Sequence, residues 1–190
     1  MTVTIVNVGY RATNYWVVGA GRSRLLVDLG WPGTMGAMRA ALRRADVPLE
    51  ELRFGLATHH HIDHAGLAQE LKDAGVPLLV LETQVEAIPR LGDHVKPGDG
   101  FTGISPCGNV VIAFAESRGV LERIGIAGEI LPTPGHSPDS VSLLLDDGSA
   151  FTGDLGPAFT DDEADPVASG WRLLSERGMR RIYPAHGPPR

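Results

Sequence analysis

Nine consecutive residues, 58–66, carry most of the side chains in this sequence that could do chemistry. They read THHHIDHAG and contain four of the seven histidines in the chain. Neutral imidazole and carboxylate groups are good ligands for zinc, and also for iron or manganese. The run is internal and lies between a strand pattern and a helix pattern, so a solvated polar loop explains it poorly. We therefore interpret this segment as part of a metal site.

The spacing within the segment predicts two neighbouring ions. In an extended chain the side chains alternate between two faces. We therefore expect His59, His61 and Asp63 to point one way and His60 to point the other way. His64 follows where the chain turns into the next helix, so it can approach the same cleft from another direction. Four ligands on one tight segment are more than a single ion would take, which favours His59 and His61 on one ion and Asp63 and His64 on a second.

Three later motifs offer the further ligands that two ions would need. Each motif places a histidine or an aspartate in a turn or at the end of a strand pattern. They are TPGHS with His136, FTGDLG with Asp154 and YPAHGPP with His186. Each motif alone is a weak signal, but together with the first segment they provide five histidines and two aspartates. That number is enough to complete two coordination shells.

The two ends of the chain predict the same order of elements. Residues 14–30 and 140–156 each predict two strands joined by a turn and followed by an aspartate. A helix pattern and another strand follow in both cases, and each of these strands ends at a histidine. The matching positions are Asp28 with Asp154 and His59 with His186. We expect a two-lobed fold in which each lobe delivers ligands from its strand ends to a shared cleft.

The helices and the middle of the chain complete an α/β pattern. The first repeat has its helix over 35–45. The helix of the second repeat is expected to be capped by Asp165, to have Pro166 in its first turn and to end near Gly178. Between the repeats we predict, in chain order, a helix at 64–74, a strand at 77–81, a short helix near 83–88, an irregular region at 89–115 and a helix near 116–124.

The composition narrows the class of protein. The chain has 190 residues, 43% hydrophobic and 21% charged, so we expect one globular domain, 1–190. Its apolar runs are too short to span a bilayer and its start lacks a secretion signal, which favours a cytoplasmic protein without a membrane partner. The net charge is −6 and the basic residues are dispersed, which disfavours nucleic acid. Cys107 is the only cysteine and is expected to be an inert thiol.

The four motifs occur in the order typical of one family. THHHIDHAG, TPGHS, FTGDLG and YPAHG together make the sequence resemble the metallo-β-lactamase-fold hydrolases over essentially the whole chain. The resemblance implies an αββα four-layer sandwich with two pseudo-repeated lobes and a two-metal site at one edge of the paired sheets. The metal motifs are those of glyoxalase II, but the helical glutathione-binding appendage of that enzyme is not recognisable.

The resemblance also implies which residues bind which ion. His59, His61 and His136 match the ligands of one metal. Asp63, His64 and His186 match those of the second metal, and Asp154 matches an aspartate that bridges both. Asp28 matches an aspartate that orients a ligand or closes the turn.

Two positions bear on how closely the chain follows the family. An aspartate at 139 stands where many members have a glycine nearby, which is expected to change the loop rather than the ligands. Asp154 argues against a true β-lactamase, because those enzymes commonly lack the bridging carboxylate.

The expected activity is hydrolysis. Two divalent cations, most simply Zn²⁺ with iron or manganese as alternatives, can share a hydroxide that attacks a small ester, thioester or lactone. Asp63 would orient this nucleophile or carry a proton. An iron-dependent oxygenase of the persulfide dioxygenase type, a structural metal-binding module and, less favoured, a phosphodiesterase or nuclease are the alternatives.

The substrate is expected to be a small molecule that contacts the loop GYRATN and the 89–115 region. The candidate contact residues are Tyr10, Arg11, Trp31, Phe101 and Phe114. An apolar edge on the last strand would favour a homodimer.

Overall fold

The structure, a computed structural model, describes residues 3–159, 162 and 164–190. Within these residues the strands are β1 (Thr4–Asn7), β2 (Trp16–Ala20), β3 (Ser23–Val27), β4 (Leu52–Leu56), β5 (Leu79–Leu81), β6 (Val110–Ile112), β7 (Gly128–Pro132), β8 (Val141–Leu145), β9 (Ser149–Gly153) and β10 (Arg181–Pro184). The α-helices are α1 (Met35–Arg44), α2 (Ile62–Ala65), α3 (Ala68–Asp73), α4 (Ser117–Arg123) and α5 (Pro166–Glu176). None of the helices in the described part of the chain has the length and apolar character needed to cross a membrane.

Two four-stranded sheets form the centre of the molecule. Their strand orders are β1-β2-β3-β4 and β10-β9-β8-β7. The strands β2 and β3 are antiparallel, whereas β3 and β4 are parallel and connected through α1. In the same way β8 and β9 are antiparallel, whereas β9 and β10 are parallel and connected through α5. The predicted repeat is therefore present, and each half contributes one sheet.

Alternation along the strands produces four layers. Val18 of β2 and Leu143 of β8 lie in one buried cluster, which draws side chains from both sheets and therefore fills the space between them. Val17, on the other face of β2, packs with residues of α1 and α3. Leu144, on the other face of β8, packs with Leu174 of α5. Because both faces of these strands are covered, their sequences read as continuous apolar runs, and the αββα sandwich is confirmed.

The helix of the second repeat begins as the sequence predicts. A side-chain oxygen of Asp165 accepts a hydrogen bond of 2.9 Å from the backbone N–H of Val167, and Pro166 is the first residue of α5. Gly178 follows the helix with a φ of +88°, a left-handed conformation that suits a helix end.

The helix predicted at 64–74 is wrong in its start and in its continuity. The chain forms α2 and α3 instead, separated at Gly66 and Leu67. A Cβ on Gly66 would lie 2.4 Å from Cδ of Pro32, so the chain packs tightly against the first lobe at this point. The N–H of Leu67 donates to the carbonyl of Gly30 at 3.0 Å rather than to its own helix. Tertiary packing therefore breaks the helix that periodicity predicts.

The middle of the chain also differs from its prediction in detail. The short helix near 83–88 is replaced by two 3₁₀ segments, Glu82–Gln84 and Ile88–His94. The region 89–115 contains β6, which pairs in parallel with β5. Both β5 and β6 are three residues long, a length at which alternation carries little information.

The outer edge of β10 is partly covered by the end of the chain. Ile182 and Arg190 exchange both of their backbone hydrogen bonds, at 2.7 and 3.0 Å. This pairing reduces the open edge on which the homodimer prediction depends, and the homodimer stays a prediction.

Candidate metal centre

Both parallel strand pairs end at the same edge of the sandwich, and the candidate site lies there. Asp28 follows β3 directly, and Asp154 follows β9 directly. His59 lies three residues beyond β4, and His186 lies two residues beyond β10. The N–H of Val141 donates to the carbonyl of Thr58 at 2.8 Å. This hydrogen bond joins the two lobes at the start of the segment THHHIDHAG.

The structure brings all seven predicted ligands together. Their ligand-type atoms form three groups, within each of which all atoms lie within 4.8 Å of one another. The groups are His59 with His61 and His136, His59 with His64 and Asp154, and Asp63 with His64 and His186. The first and the third group are the two sets that the family resemblance implies, and the second group connects them.

Asp154 lies between the two outer groups. One carboxylate oxygen, Oδ2, is 3.4 Å from Nε2 of His64 and 3.6 Å from Nε2 of His136. The other oxygen, Oδ1, is 3.4 Å from Nε2 of His186. A single carboxylate therefore faces histidines of both outer groups, as a bridging ligand must.

The unsatisfied atoms of the cluster fit divalent cations. Among the described residues, Nε2 of His59, Nε2 of His64 and Oδ1 of Asp154 are buried and have no hydrogen-bond partner. Burying polar atoms without partners costs about 1–3 kcal/mol each. Nδ1 of His61 and Nε2 of His136 approach to 3.0 Å. Nitrogen lone pairs and carboxylates that converge without partners are what a cation would satisfy, so these residues fit a pair of metal ions.

The pKa values of His59 and His64 are shifted in opposite directions. Burial, reinforced by the neighbouring His64 and His61, lowers the pKa of His59 to about 2, so this imidazole is neutral and ready to bind a metal. Burial also disfavours the charged form of His64, but Asp28, Asp154 and Asp63 outweigh it, and the pKa of His64 lies well above its ordinary value. A metal ion bound at His64 must therefore displace a proton.

The two aspartates of the cluster are held ionised. Burial opposes the charge on Asp63, but the nearby charge of His64, together with the hydroxyl of Thr13, prevails, so the pKa of Asp63 lies well below its usual range. The same balance lowers the pKa of Asp154. Both carboxylates therefore carry the negative charge that a cation needs.

The predicted orientation of Asp63 is wrong. Residues 59–63 do not continue as one extended segment, because α2 begins at Ile62 directly after the extended residue His61. Asp63 consequently falls in the group with His64 and His186 and not with His59, and its Oδ2 lies 3.3 Å from Nε2 of His186. His60 does point away from the cluster, as alternation predicts.

Asp28 is a buried support of this centre. Its Oδ1 accepts hydrogen bonds from the backbone N–H and the hydroxyl of Thr58, at 2.8 and 2.9 Å. Its Oδ2 lies 3.1 Å from Nδ1 of His64. The N–H of Leu29 donates to the carbonyl of His64 at 2.7 Å. Asp28 therefore both closes the turn and faces the ring nitrogen of a candidate ligand on the side away from the cluster.

Sequence reasoning missed several partners of the candidate ligands. The carbonyl of Ala12 lies 2.7 Å from Nδ1 of His186, and the hydroxyl of Thr13 donates to Oδ2 of Asp63 at 3.2 Å. Both belong to the loop GYRATN, for which the sequence predicts only substrate contacts. The residues Ala12 and Thr13 offer no signal of these contacts in the sequence, because their partners lie 174 and 50 positions away.

Some of the predicted substrate contacts gather beside the centre. Arg11 and Trp31 line a cavity of about 480 Å³ that also touches Ile62 of α2. The guanidinium carbon of Arg11 lies 5.5 Å from the centre of the Trp31 ring. Tyr10 forms a 2.6 Å hydrogen bond with Thr34, which also lines this cavity.

The remaining two aromatic candidates lie elsewhere. Phe101 lines a neighbouring cavity of about 600 Å³. Phe114 packs against the cluster between the sheets, so the structure does not bring it to this place.

Comparison with known proteins agrees with this architecture. The family model of the metallo-beta-lactamase superfamily matches residues 8–186. The lactamase-like protein nscB of Trichophyton rubrum is 31% identical over 183 residues, which cover 93% of this chain and 49% of that protein. The atrochrysone carboxyl ACP thioesterase of Aspergillus terreus is 30% identical over 183 residues, which cover 93% of this chain and 50% of that protein. The chain thus spans about half the length of these curated relatives.

A solved structure shares the fold. The metallo-β-lactamase MIM-1 from Novosphingobium pentaromativorans superposes with a TM-score of 0.71 at 20% sequence identity, covering 96% of this chain and 73% of that one. With the family model matching nearly the whole chain, and with two sheets that carry the motif residues to one edge, this protein belongs to the metallo-beta-lactamase superfamily.

Proposed function

We propose that this protein is a binuclear metal-dependent hydrolase of small esters, thioesters or lactones. The observation that carries the proposal is the convergence of seven ligand-type residues in three overlapping groups with Asp154 between the outer two. A structural zinc site needs only four protein ligands, which close its coordination sphere, whereas these residues offer enough ligands for two ions and lie at an accessible edge of the sandwich.

The chain's own residues would hold the two ions in separate sets. His59, His61 and His136 would hold one ion, and the second would be held by Asp63, His64 and His186, with Asp154 shared. Two divalent cations bound in this way supply a hydroxide nucleophile near neutral pH and polarise the oxygen that gains charge.

Asp63 is the residue we propose for proton handling. The hydroxyl of Thr13 donates to its Oδ2 at 3.2 Å. The carboxylate remains ionised, so it can accept a hydrogen bond from the attacking nucleophile and hold it in line with the substrate carbonyl. The cavity beside Arg11 and Trp31 is the proposed place for the acyl or leaving group.

The substrate class is supported by both the relatives and the charge. A relative at 30% identity is named a thioesterase, which favours thioesters within the proposed class. The net charge of −6 does not favour a polyanionic substrate. Cys107 is exposed and lines a different cavity with Lys72 and Gln69, so it does not offer an alternative nucleophile at the metal centre.

Elemental analysis of protein purified without added metal tests the proposal. We expect about two zinc ions per chain, about one after His61→Ala, and hydrolysis of generic thioesters and esters that a chelator abolishes. Asp63→Ala should lose activity, whereas Asp73→Ala, a matched change on the exposed side of α3, should not. Iron together with oxygen consumption would replace the hydrolase by an oxygenase. Protein that holds no metal even after reconstitution would refute the metal centre altogether.

A further inference from the structure

A side-chain network of low exposure lies beside the segment THHHIDHAG, where His60 and Asp139 line a cavity of about 240 Å³ together with His61. Its centre is Asp139, which is 6% exposed. Its Oδ2 accepts a hydrogen bond of 2.9 Å from the backbone N–H of His60 and lies 2.9 Å from Nδ1 of the same residue. Its Oδ1 accepts a hydrogen bond of 2.7 Å from the hydroxyl of Ser137. One carboxylate thus joins the segment THHHIDHAG to the turn TPGHS.

Further hydrogen bonds hold the segment THHHIDHAG against the turn TPGHS, and we call this contact region the junction. The side-chain amide of Gln84 donates to the carbonyls of Ala57 and Asp139, at 2.9 and 3.3 Å. The hydroxyls of Ser137 and Ser140 lie 2.8 Å apart. These groups are buried, so each of their hydrogen bonds would be costly to leave unmade.

The junction lies between candidate ligands of the same ion. His60 is flanked in the chain by His59 and His61, and Asp139 lies three residues after His136. These two segments also bring Nδ1 of His61 and Nε2 of His136 to 3.0 Å from each other. A change in the spacing of the two segments would therefore change the separation of these ligand atoms directly.

We propose that Asp139 is a positioning residue for the first metal ion. By holding His60, it sets the segment that carries His59 and His61 against the turn that carries His136. The inference rests on the proposed binuclear function. It assigns a role to Asp139, which stands where many family members have a glycine nearby. An effect confined to one ion distinguishes this role from general structural support.

Titration of chelator-stripped protein with Co²⁺, followed by its visible absorption and by competition with a chelator, tests the proposal. Asp139→Ala should lower the affinity for the ion of His59, His61 and His136 by about 10–100-fold, the range for loss of a residue that orients ligands. The affinity for the second ion should not change. Asp139→Asn should recover most of this loss, because the amide oxygen can still accept from His60 while the amide N–H donates to Ser137. Asp73→Ala is the control and should behave as wild type.

Thermal unfolding with and without Co²⁺ separates the outcomes further. A positioning role reduces the gain in Tm on adding metal, whereas a purely structural role lowers the Tm of both forms equally. The proposal is overturned if Asp139→Ala binds both ions as wild type does, if both ions weaken alike, or if Asp139→Asn recovers nothing. If Asp139→Ala does not fold, Ser137→Ala, which removes the hydrogen bond to Oδ1 of Asp139, takes its place; weaker binding of one ion supports the role, and wild-type affinity for both ions overturns it. A wild-type chain that binds fewer than two ions would instead remove the proposed function, and this inference with it.

Discussion

Replacing Asp28 by asparagine should remove one metal ion from the centre through the tautomer of His64. In the wild type the carboxylate oxygen beside Nδ1 of His64, at 3.1 Å, favours a proton on that nitrogen. Nε2, which faces Asp63 and Asp154, is then free to bind a metal. An asparagine amide N–H in place of the oxygen would require Nδ1 to accept, and Nε2 would then carry the proton.

Both orientations of the new amide carry a cost. If its oxygen stays with Thr58, the amide N–H faces His64 and the wrong tautomer results, which we expect to weaken the bound ion by about 10–100-fold, or about 1.4–2.8 kcal/mol. If the amide flips, its N–H group faces the backbone N–H and the hydroxyl of Thr58. A buried donor then lacks its partner, at about 1–3 kcal/mol. Asp28 is 1% exposed, so water cannot relieve either arrangement.

The assay is metal content and chelator competition at neutral pH. We expect Asp28→Asn to keep the ion of His59, His61 and His136 and to lose or weaken the ion of His64. Asp46→Asn is a matched control, because Asp46 has a φ of +53° against +61° for Asp28 but lies exposed and away from the centre. Two ions bound to Asp28→Asn with wild-type affinity would show that Asp28 does not select the tautomer of His64.

Two further changes test the packing and the charge around the centre. Gly153→Ala should destabilise the protein by several kcal/mol, because its φ is +54° and a Cβ would lie 2.3 Å from Oγ1 of Thr58. Gly178→Ala shares the left-handed backbone but meets no atom within 4 Å, so it should cost only about 1–2 kcal/mol, and urea denaturation that gave equal losses would contradict the clash. The pKa of Asp139 is lowered by His60 and Ser137 against the opposing effect of burial, so its charge stabilises the fold above the unfolded pKa near ~4 and ceases to do so as pH falls through the folded pKa. The difference in unfolding free energy between metal-free wild type and Asp139→Asn should therefore shrink as the pH falls below about 4, and a difference that grows on acidification from pH 4 would contradict this.

The fold could be predicted well where pattern and chemistry are local. The hairpins, the helix α1 and the Asp165 cap of α5 follow from turn residues, periodicity and capping, and all three are present. The break between α2 and α3 could not be predicted, because it depends on Gly66 packing against Pro32 and on a hydrogen bond from Leu67 to the distant Gly30. Local preference for a continuous helix is weaker than these tertiary contacts.

The candidate centre could likewise be predicted only in part. Residue types and spacing were enough to select all seven ligand-type residues that converge. What the ligands' other atoms contact was not predictable. Nδ1 of His186 meets the carbonyl of Ala12, which is 174 positions away in the chain. The partner of His60 is 79 positions away. Alternation along a strand predicts the face to which a side chain points, but it does not identify what the other lobe places there.

The two aspartates at equivalent strand ends show how a repeated scaffold can build an asymmetric site. Asp28 is itself in the left-handed conformation and uses its carboxylate to hold Thr58 and face His64. In the second repeat the left-handed residue comes one position earlier, at Gly153, whose lack of a side chain admits Thr58 at close range. Asp154 therefore follows the turn with its carboxylate in the cleft instead of below it. Because Thr58 bonds to Asp28 and lies against Gly153, the two repeats meet at this residue, and the same strand-end position places one aspartate behind His64 and the other in the cleft.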